Sequence, residues 1–455
     1  MPSESRPTDT RRMRQRPSTS SSGFPGNSRR PHRTMEKDGL PEDLRRERWF
    51  VLALMAVLLY GVYYAYNSVV PLADAIIREF GISRAQYGLL FSYYSIPNFI
   101  IVLIGGILVD KIGIRKAGLL FATLCTVGIV LTAAAPVFKL MLAGRLIYGI
   151  GAESLLIAEI KILARWFRGK ELSFAFGLNV TAVRLSDVSA LNLGAHLPAW
   201  TGSMRMTLWV PAIVMFIGYA AFLAYLRLDR KREKGSVPRE KKETADKIVF
   251  RDIFKYPASF WYVSLLCLAF YSLVFPFVAF SSLFLQKKFG LSPGQAGFYG
   301  SFVYMATAVI TPLFGLFLDR VGKRATIMLF GSLIIVPCHL SLGLTNFSPL
   351  LPMIGLGISF SLVASALWPS LPLLVEEKRL GTAFGLTTLL QNAGLTIFPW
   401  AAGKLTDLSG GDYKNSMLMF AGLGVVSLIL SLLLRMSARK GPSMKIELPT
   451  RLAQA

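Results

Sequence analysis

The sequence predicts an all-α membrane protein of twelve spans, arranged as two six-helix bundles. Three observations carry this. Apolar segments long enough to cross a bilayer follow one another, basic residues gather on alternate loops, and the second half repeats markers of the first at a nearly constant offset. Of the 455 residues, 53% are hydrophobic and 17% charged, against about 25% charged in a soluble domain. A hydrocarbon core of about 30 Å takes roughly 20 apolar residues in helical form. Such stretches occur near 49–70, 86–109, 117–135, 140–163, 172–195, 206–226, 259–285, 297–318, 325–345, 350–374, 382–405 and 416–435.

The net charge of +24 would point to nucleic acid in a soluble protein, but here it orients the chain. Basic residues lie before the first span, at Lys111, Arg115 and Lys116, at Arg165, Arg168 and Lys170, and from Arg227 to Lys255. They return at Arg320, Lys323 and Arg324 and after Arg435. The positive-inside rule makes these loops and both termini cytoplasmic. The expected organisation is a disordered basic tail over 1–48, a bundle over 49–226, a cytoplasmic linker over 227–257, a second bundle over 258–436 and a tail over 437–455. Met1 to Thr34, rich in Ser, Pro and Arg, has no apolar run and is not a signal peptide. Cys125, Cys267 and Cys338 all fall within spans and read as packing residues.

The repeat sets the topology. Gly106, Asp110 and Arg115 after the second span return as Gly315, Asp319 and Arg324, 209 positions later. Ala175-Phe176-Gly177-Leu178 opens the fifth span, and Ala383-Phe384-Gly385-Leu386 opens the eleventh, 208 later. An even number of spans keeps both copies in one orientation, so the halves are parallel repeats about an axis along the membrane normal.

Two ionisable residues stand out within this frame. Glu153 is thirteen residues into the fourth span and Arg184 twelve into the fifth; at about 1.5 Å per residue both fall near the midplane. Charges at that depth mark function. A carboxylate suits an ammonium group and a guanidinium suits a carboxylate, so the two together suit a small zwitterion; they can equally form a salt bridge with each other. The repeat maps Arg184 onto Asn392 and Glu153 onto Ser359, which leaves the charge on one half. Ser359, Gln391, Asn392 and Trp368 then supply neutral hydrogen bonds and an aromatic face. Tyr64, Tyr94, Asn98, Tyr271 and Tyr304 are further candidates for lining, and an aromatic belt at the interface explains Tyr60 and Tyr66 equally well. Asp187, one turn beyond Arg184, either neutralises it or titrates. Asp187 and Glu159 are the two candidates for a proton site, with a structural role favoured for Glu159 and for Lys161, which can snorkel.

The segment G-I-L-V-D-K-I-G-I-R-K at 106–116 resembles the signature loop of the major facilitator superfamily, and the twelve spans, midpoint linker and second copy match that plan over the whole chain. The resemblance implies gating by Asp110, Arg115 and Lys116, with Asp319, Arg320 and Arg324 in the second copy, and an outer-gate role for Arg145. More specifically, G-R-L-I-Y-G-I-G-A-E-S-L at 144–155, W-F-R-G-K-E-L at 166–172 and Q-N-A-G-L at 391–395 are similar to the lysosomal dipeptide uniporter branch. So are Y-S-I-P-N at 94–98, V-F-P-F at 274–277, A-L-W-P at 366–369 and L-G-T-A-F-G at 380–385. Asn67 in place of an acid, Ser282 in place of a lysine, and the charges of Glu159, Lys161 and Asp187 depart from that pattern.

The expectation is therefore a monomeric secondary transporter moving dipeptides or similar zwitterions by rocking-bundle alternating access, as a uniporter. Its partners are that solute and the lipid bilayer, with no nucleic acid. Rival readings are proton-coupled transport of small organic anions, of monocarboxylate or oxalate type, and a non-transporting sensor of the same fold. His32, His196 and His339 are scattered, and neither metal spacing nor a phosphate loop occurs, so no catalysis, metal or cofactor is expected. Lacking an acidic dileucine motif, and with Asn346-Phe347-Ser348 a weak glycosylation acceptor before Pro349, the chain fits a plasma or inner membrane better than a lysosome.

Overall fold

The computed structural model describes residues 42–167, 170–233, 256–376, 379–439, 441–449 and 452. Residues 1–41 of the expected tail, Arg168 and residues 234–255 of the expected linker lie outside the described residues. The packing below is that of residues 47–455.

The N-terminal half comprises α1 (Glu42–Asn67), α2 (Ala73–Phe80), α3 (Arg84–Ser95), α4 (Asn98–Ile112), α5 (Ile114–Ala134), α6 (Phe138–Trp166), α7 (Lys170–Gly194), α8 (Leu197–Thr201) and α9 (Met204–Glu233). The C-terminal half comprises α10 (Ala258–Phe289), α11 (Pro293–Val321), α12 (Arg324–Leu344), α13 (Leu350–Leu374), α14 (Leu380–Leu408) and α15 (Lys414–Ser437), followed by a 3₁₀ helix at Gly441–Glu447. This is the twelve-span plan with several differences, the first being that α1 begins at Glu42, inside the expected disordered tail, and α9 runs to Glu233, inside the expected linker. The second span is broken at Ile96-Pro97 into α3 and α4, because proline supplies no N–H to the ladder and clashes with the preceding turn. Short helices α2 and α8 fill connections that the hydropathy pattern reads as plain loops. Residues 441–449, expected as tail, pack back onto the C-terminal half.

Among the described residues, eight helices are long and apolar enough to cross a membrane by length and composition: α1, α5, α9, α10, α11, α12, α13 and α15. The broken span α3–α4 and the helices α6, α7 and α14 fall outside that set, although the last three have 25 to 29 residues. These four spans carry Tyr94, Asn98, Glu153, Arg184, Gln391 and Asn392. The pieces α3 and α4 are too short once the span is broken, with 12 and 15 residues, whereas α6, α7 and α14 carry charged or amide side chains within their length.

The repeat is visible in the backbone. Ser83 opens α3 with a capping box, its Oγ accepting from the Gln86 N–H at 3.1 Å while its own N–H donates to Gln86 Oε1 at 2.9 Å. Ser292 opens α11 with the same box through Gln295, at 3.3 and 3.0 Å. Each box satisfies two donors that a helix start leaves free. At the other end of the same two spans, Gly113 and Gly322 take φ of 85° and 75°, a region that favours glycine. The end of the molecule bearing these two turns is called the motif side below, and the opposite end the far side.

The halves meet on the far side. α3 lies against α14, α7 against α11, and α2 and α3 against α10. A Cβ on Gly88 would stand 2.3 Å from the Pro399 carbonyl oxygen, and one on Gly403 2.3 Å from that of Arg84, so backbone touches backbone. Asp407, at the end of α14, accepts from the backbone N–H groups of Arg84 and Ala85 at 3.2 and 2.8 Å. A carboxylate from one half thereby caps the positive N-terminus of a helix in the other. On the motif side the same four spans present open space: a Cβ on Gly106, Gly177, Gly315 or Gly381 would meet nothing within 4 Å. The molecule is closed at the far side and open at the motif side.

Candidate functional site

Glu153 and Arg184 sit at the middle of α6 and α7. They do not form a salt bridge with each other. Glu153 Oε1 accepts from the Tyr94 hydroxyl at 3.0 Å, and the residue keeps partial exposure. Arg184 Nη1 donates to Asp187 Oδ2 at 2.8 Å, with side-chain exposures of 17% and 1%. Its Nε is buried and without a partner, and its guanidinium lies 5.7 Å from the centre of the Tyr304 ring. A guanidinium has five N–H donors in a planar fork, so Asp187 leaves donors free.

Asp187 is the hub of a small network. Its Oδ1 accepts from Asn67 Nδ2 at 2.8 Å, and Asn67 Oδ1 accepts from the Tyr304 hydroxyl at 3.4 Å. The last bond crosses from one half to the other. A second crossing joins Asn98 Nδ2 to Asn392 Oδ1 at 3.3 Å, where Asn98 Oδ1 is left buried and unpartnered. Tyr63, four residues before Asn67 and so on the same face of α1, is within electrostatic reach of Glu153, Arg184, Asp187 and Glu159 alike. Tyr271 is within reach of Arg184. The cluster thus sets hydroxyl and amide groups about Glu153, Arg184 and Asp187.

The other candidates are placed as follows. The Trp368 indole N–H donates to the Tyr271 hydroxyl at 2.8 Å, and its ring stacks on Phe384, with centroids 6.1 Å apart and planes 4° apart. Gln391 is half-buried beside Asn392. Tyr64 is buried and stacks on Tyr60 at 6.1 Å. Ser359 differs from expectation: it is fully buried and its hydroxyl donates to the Gly331 carbonyl at 2.6 Å. The register of α13 turns it into the contact with α12, so its donor is already used. Arg145, read as an outer-gate residue, lies wholly inside the N-terminal half. It donates to the carbonyls of Leu90, Ala65 and Tyr66 at 3.1, 3.3 and 3.2 Å, and its guanidinium lies 5.5 to 5.8 Å from the centres of four aromatic rings. That arrangement ties α1 and α3 to α6. On the far side Asp407 joins the halves, pairing with the Arg84 guanidinium at 3.6 Å as well as with the backbone of α3.

On the motif side the charges pair within their own halves. Asp110 binds Lys161, which therefore answers the motif carboxylate instead of merely reaching for water. Arg115 and Arg165 both engage Asp229 on α9. Asp319 lies 3.6 Å from Arg324, which also donates to the Leu448 carbonyl at 3.2 Å. Lys116 and Arg320 are exposed. Glu447 from the C-terminal segment accepts from the Thr326 N–H and hydroxyl at 2.9 and 3.0 Å, capping α12.

Three further participants, Tyr63, Asn67 and Asp407, emerge from the packing of the helices. Asn67 was visible as a polar residue at the end of an apolar span. The 3.6-residue period links it to Tyr63, whereas nothing in the sequence links Asp407 to the start of α3.

A far-side-closed bundle pair with charges at mid-depth is a transporter arrangement, and the comparisons name the family. The profile of the Major Facilitator Superfamily matches residues 52–284 and 264–454. This chain belongs to that superfamily. It is 34% identical over 376 residues to the lysosomal dipeptide transporter MFSD1 of Mus musculus, covering 80% of this chain and 81% of the relative. With the MFSD1 of Homo sapiens it shares 33% over 376 residues, with the same coverage. Among solved structures, a bacterial homologue of the human lysosomal transporter Spinster, inward-facing and unoccupied, superposes with a TM-score of 0.70 at 18% identity. That match covers 88% of this chain and 98% of the other. As a facilitator-superfamily member the protein is an integral, multi-pass membrane transporter of small molecules.

Proposed function

We propose that the protein carries dipeptides or similar small zwitterions, with Glu153 receiving the ammonium end and Arg184 the carboxylate end. One observation supports this above the others: the two opposite charges at mid-depth are not spent on each other. Glu153 makes a single hydrogen bond, to Tyr94, and Arg184 retains an unpartnered buried N–H while holding Asp187. An ionised group left short of partners away from water is unfavourable, and a zwitterion of the right length satisfies both groups at once. The resemblance to proteins named as dipeptide transporters points the same way.

Both charges belong to the N-terminal half, while Tyr271, Trp368, Gln391 and Asn392 face them as neutral groups from the other. The solute stays anchored on one half as the other rocks across it, which is the geometry alternating access needs. The Tyr304–Asn67 and Asn98–Asn392 bonds and the Asp407 cap hold the far side closed; Asp110, Arg115, Lys116, Asp319, Arg320 and Arg324 re-pair when the motif side closes in turn. We further propose that the protein works as a monomer, by uniport, in a plasma or inner membrane, for which a fluorescent fusion gives the direct test.

Counterflow in liposomes is the deciding experiment. Vesicles preloaded with unlabelled alanyl-alanine are expected to draw in labelled alanyl-alanine, while alanine, acetate and oxalate give no exchange. Exchange of the monocarboxylate or of oxalate without the dipeptide would overturn the zwitterion reading. Binding without any exchange would favour a sensor.

A further inference from the structure

About two turns along α6 from Glu153 stands a second carboxyl group, Glu159, 1% exposed, which the solute site does not use. Its Oε1 accepts a hydrogen bond from Asn179 Nδ2 on α7 at 2.9 Å. Asn179 is 4% exposed. The remaining oxygen of the carboxyl, Oε2, and the remaining polar atom of the amide, Oδ1, are both buried and both without a partner.

No cation answers this carboxyl among the described residues. On its own helix Lys161 is engaged with Asp110 of α4, and Arg165 with Asp229 of α9. From α1 it meets the electrostatic influence of the Tyr63 hydroxyl. The Tyr94 hydroxyl of α3 is directed to Glu153 instead, the Cys125 thiol of α5 meets the electrostatic influence of Glu153, and Arg184 of α7 is directed to Asp187. An ionised Glu159 would keep one neutral hydrogen bond in place of its hydration shell, which strongly disfavours the charged form.

Both orphaned atoms are acceptors when the carboxyl is ionised, so nothing can join them. One proton changes that. A neutral carboxylic acid donates through Oε2–H to Asn179 Oδ1 while Asn179 Nδ2–H donates to Oε1, and every polar atom of the two side chains in this contact gains a partner. Flipping the amide does not rescue the ionised form, since it sets Oδ1 against a carboxylate oxygen. We infer that Glu159 is a proton-binding site, held neutral as an acid–amide pair with Asn179, and that this proton governs solute exchange without being carried across the membrane with the solute. Loss of the proton removes one of the two bonds that pair α6 with α7 and leaves the N–H bond from Asn179 alone. These helices carry Glu153 and Arg184, so the spacing of the two charges responds to pH. The link to solute rests on the zwitterion reading; the proton site itself does not.

The test uses the full chain in liposomes. Infrared spectra at neutral pH are expected to show the carbonyl stretch of a buried neutral acid, absent in Glu159→Gln and shifted in Asn179→Leu. Glutamine has the shape of the neutral acid and pairs with Asn179 through the same two bonds, so this variant keeps the packing. Counterflow of alanyl-alanine in the wild type should fall by about tenfold per pH unit above the midpoint of the titration, and in Glu159→Gln by less than about twofold over the same range. A band that persists in Glu159→Gln, or a pH profile that this substitution leaves unaltered, overturns the inference. A Glu159-dependent band in a protein that moves no dipeptide leaves the proton site standing and removes only the solute reading.

Discussion

Replacing Asp187 by Asn tests whether that residue occupies the place of a solute carboxylate. Asp187 Oδ2 lies 2.8 Å from Arg184 Nη1, with 1% of its side chain exposed, so water and salt screen the pair little. A charge-assisted hydrogen bond of this kind contributes about 1.5–3 kcal/mol. Asparagine keeps the shape and still accepts the bond from Asn67, so the change removes charge and little else. Arg184 then sits buried with a neutral neighbour, the ligand-free protein loses stability, and an incoming carboxylate no longer competes. At about 1.4 kcal/mol per decade, dipeptide affinity should rise roughly ten- to hundredfold. Titrating alanyl-alanine against the unfolding temperature of purified wild type and Asp187→Asn measures this, with alanyl-alanine amide, which lacks the carboxylate, as control. Turnover should slow in the same variant, because tighter binding is expressed mostly in slower release. Should the well-folded variant bind the dipeptide no more tightly than wild type, or gain as much for the amide, the displacement argument is wrong.

Glu153→Gln is expected to weaken alanyl-alanine binding by about ten- to hundredfold, the loss of one charge-assisted contact, and to leave the binding of N-acetylated dipeptide unaltered; calorimetry on the two ligands separates these. In Arg184→Lys the planar fork and the stacking on Tyr304 are both lost, so KM for counterflow should rise by about tenfold or more while the fold is kept. Gly88→Ala places a methyl group 2.3 Å from the Pro399 carbonyl oxygen, which strains the far-side closure; spin-label distances between α3 and α14 should lengthen, with solute affinity little changed. An unchanged distance distribution would show that the far-side contact tolerates the methyl group by local adjustment.

Much of the fold was legible before any coordinates, and for a local reason. Crossing a bilayer demands length and apolarity, and these are properties of a segment, as are the basic loops and the Gly-Asp-Arg turn repeated 209 positions on. The break at Pro97 was foreshadowed by the proline; α2 and α8 were not, since helices of 8 and 5 residues leave little periodicity to detect. Glu153, Arg184 and Asp187 could be picked out because a charge within an apolar span is conspicuous. Asn67 stood out as an amide at the end of an apolar span, but Tyr63 could not be ranked above Tyr64, since both are tyrosines of α1 and only the rotation of that helix against α7 and α11 decides which faces the charges.

By itself the sequence determined the membrane, the spans, their pairing into two halves and the residues able to carry charge within them. Tertiary structure decided who holds whom. Ser359 faces α12 instead of the charges, Arg145 braces one half instead of bridging two, Arg184 holds Asp187 in place of Glu153, and Glu159 is closed off with Asn179. Each successive residue of a helix turns about 100°, so a small change in helix rotation exchanges one partner for another without altering hydropathy. Spans are set by the average polarity of about twenty residues, and averages survive such changes; a hydrogen bond depends on the placement of two atoms, and only the packing of several helices supplies that.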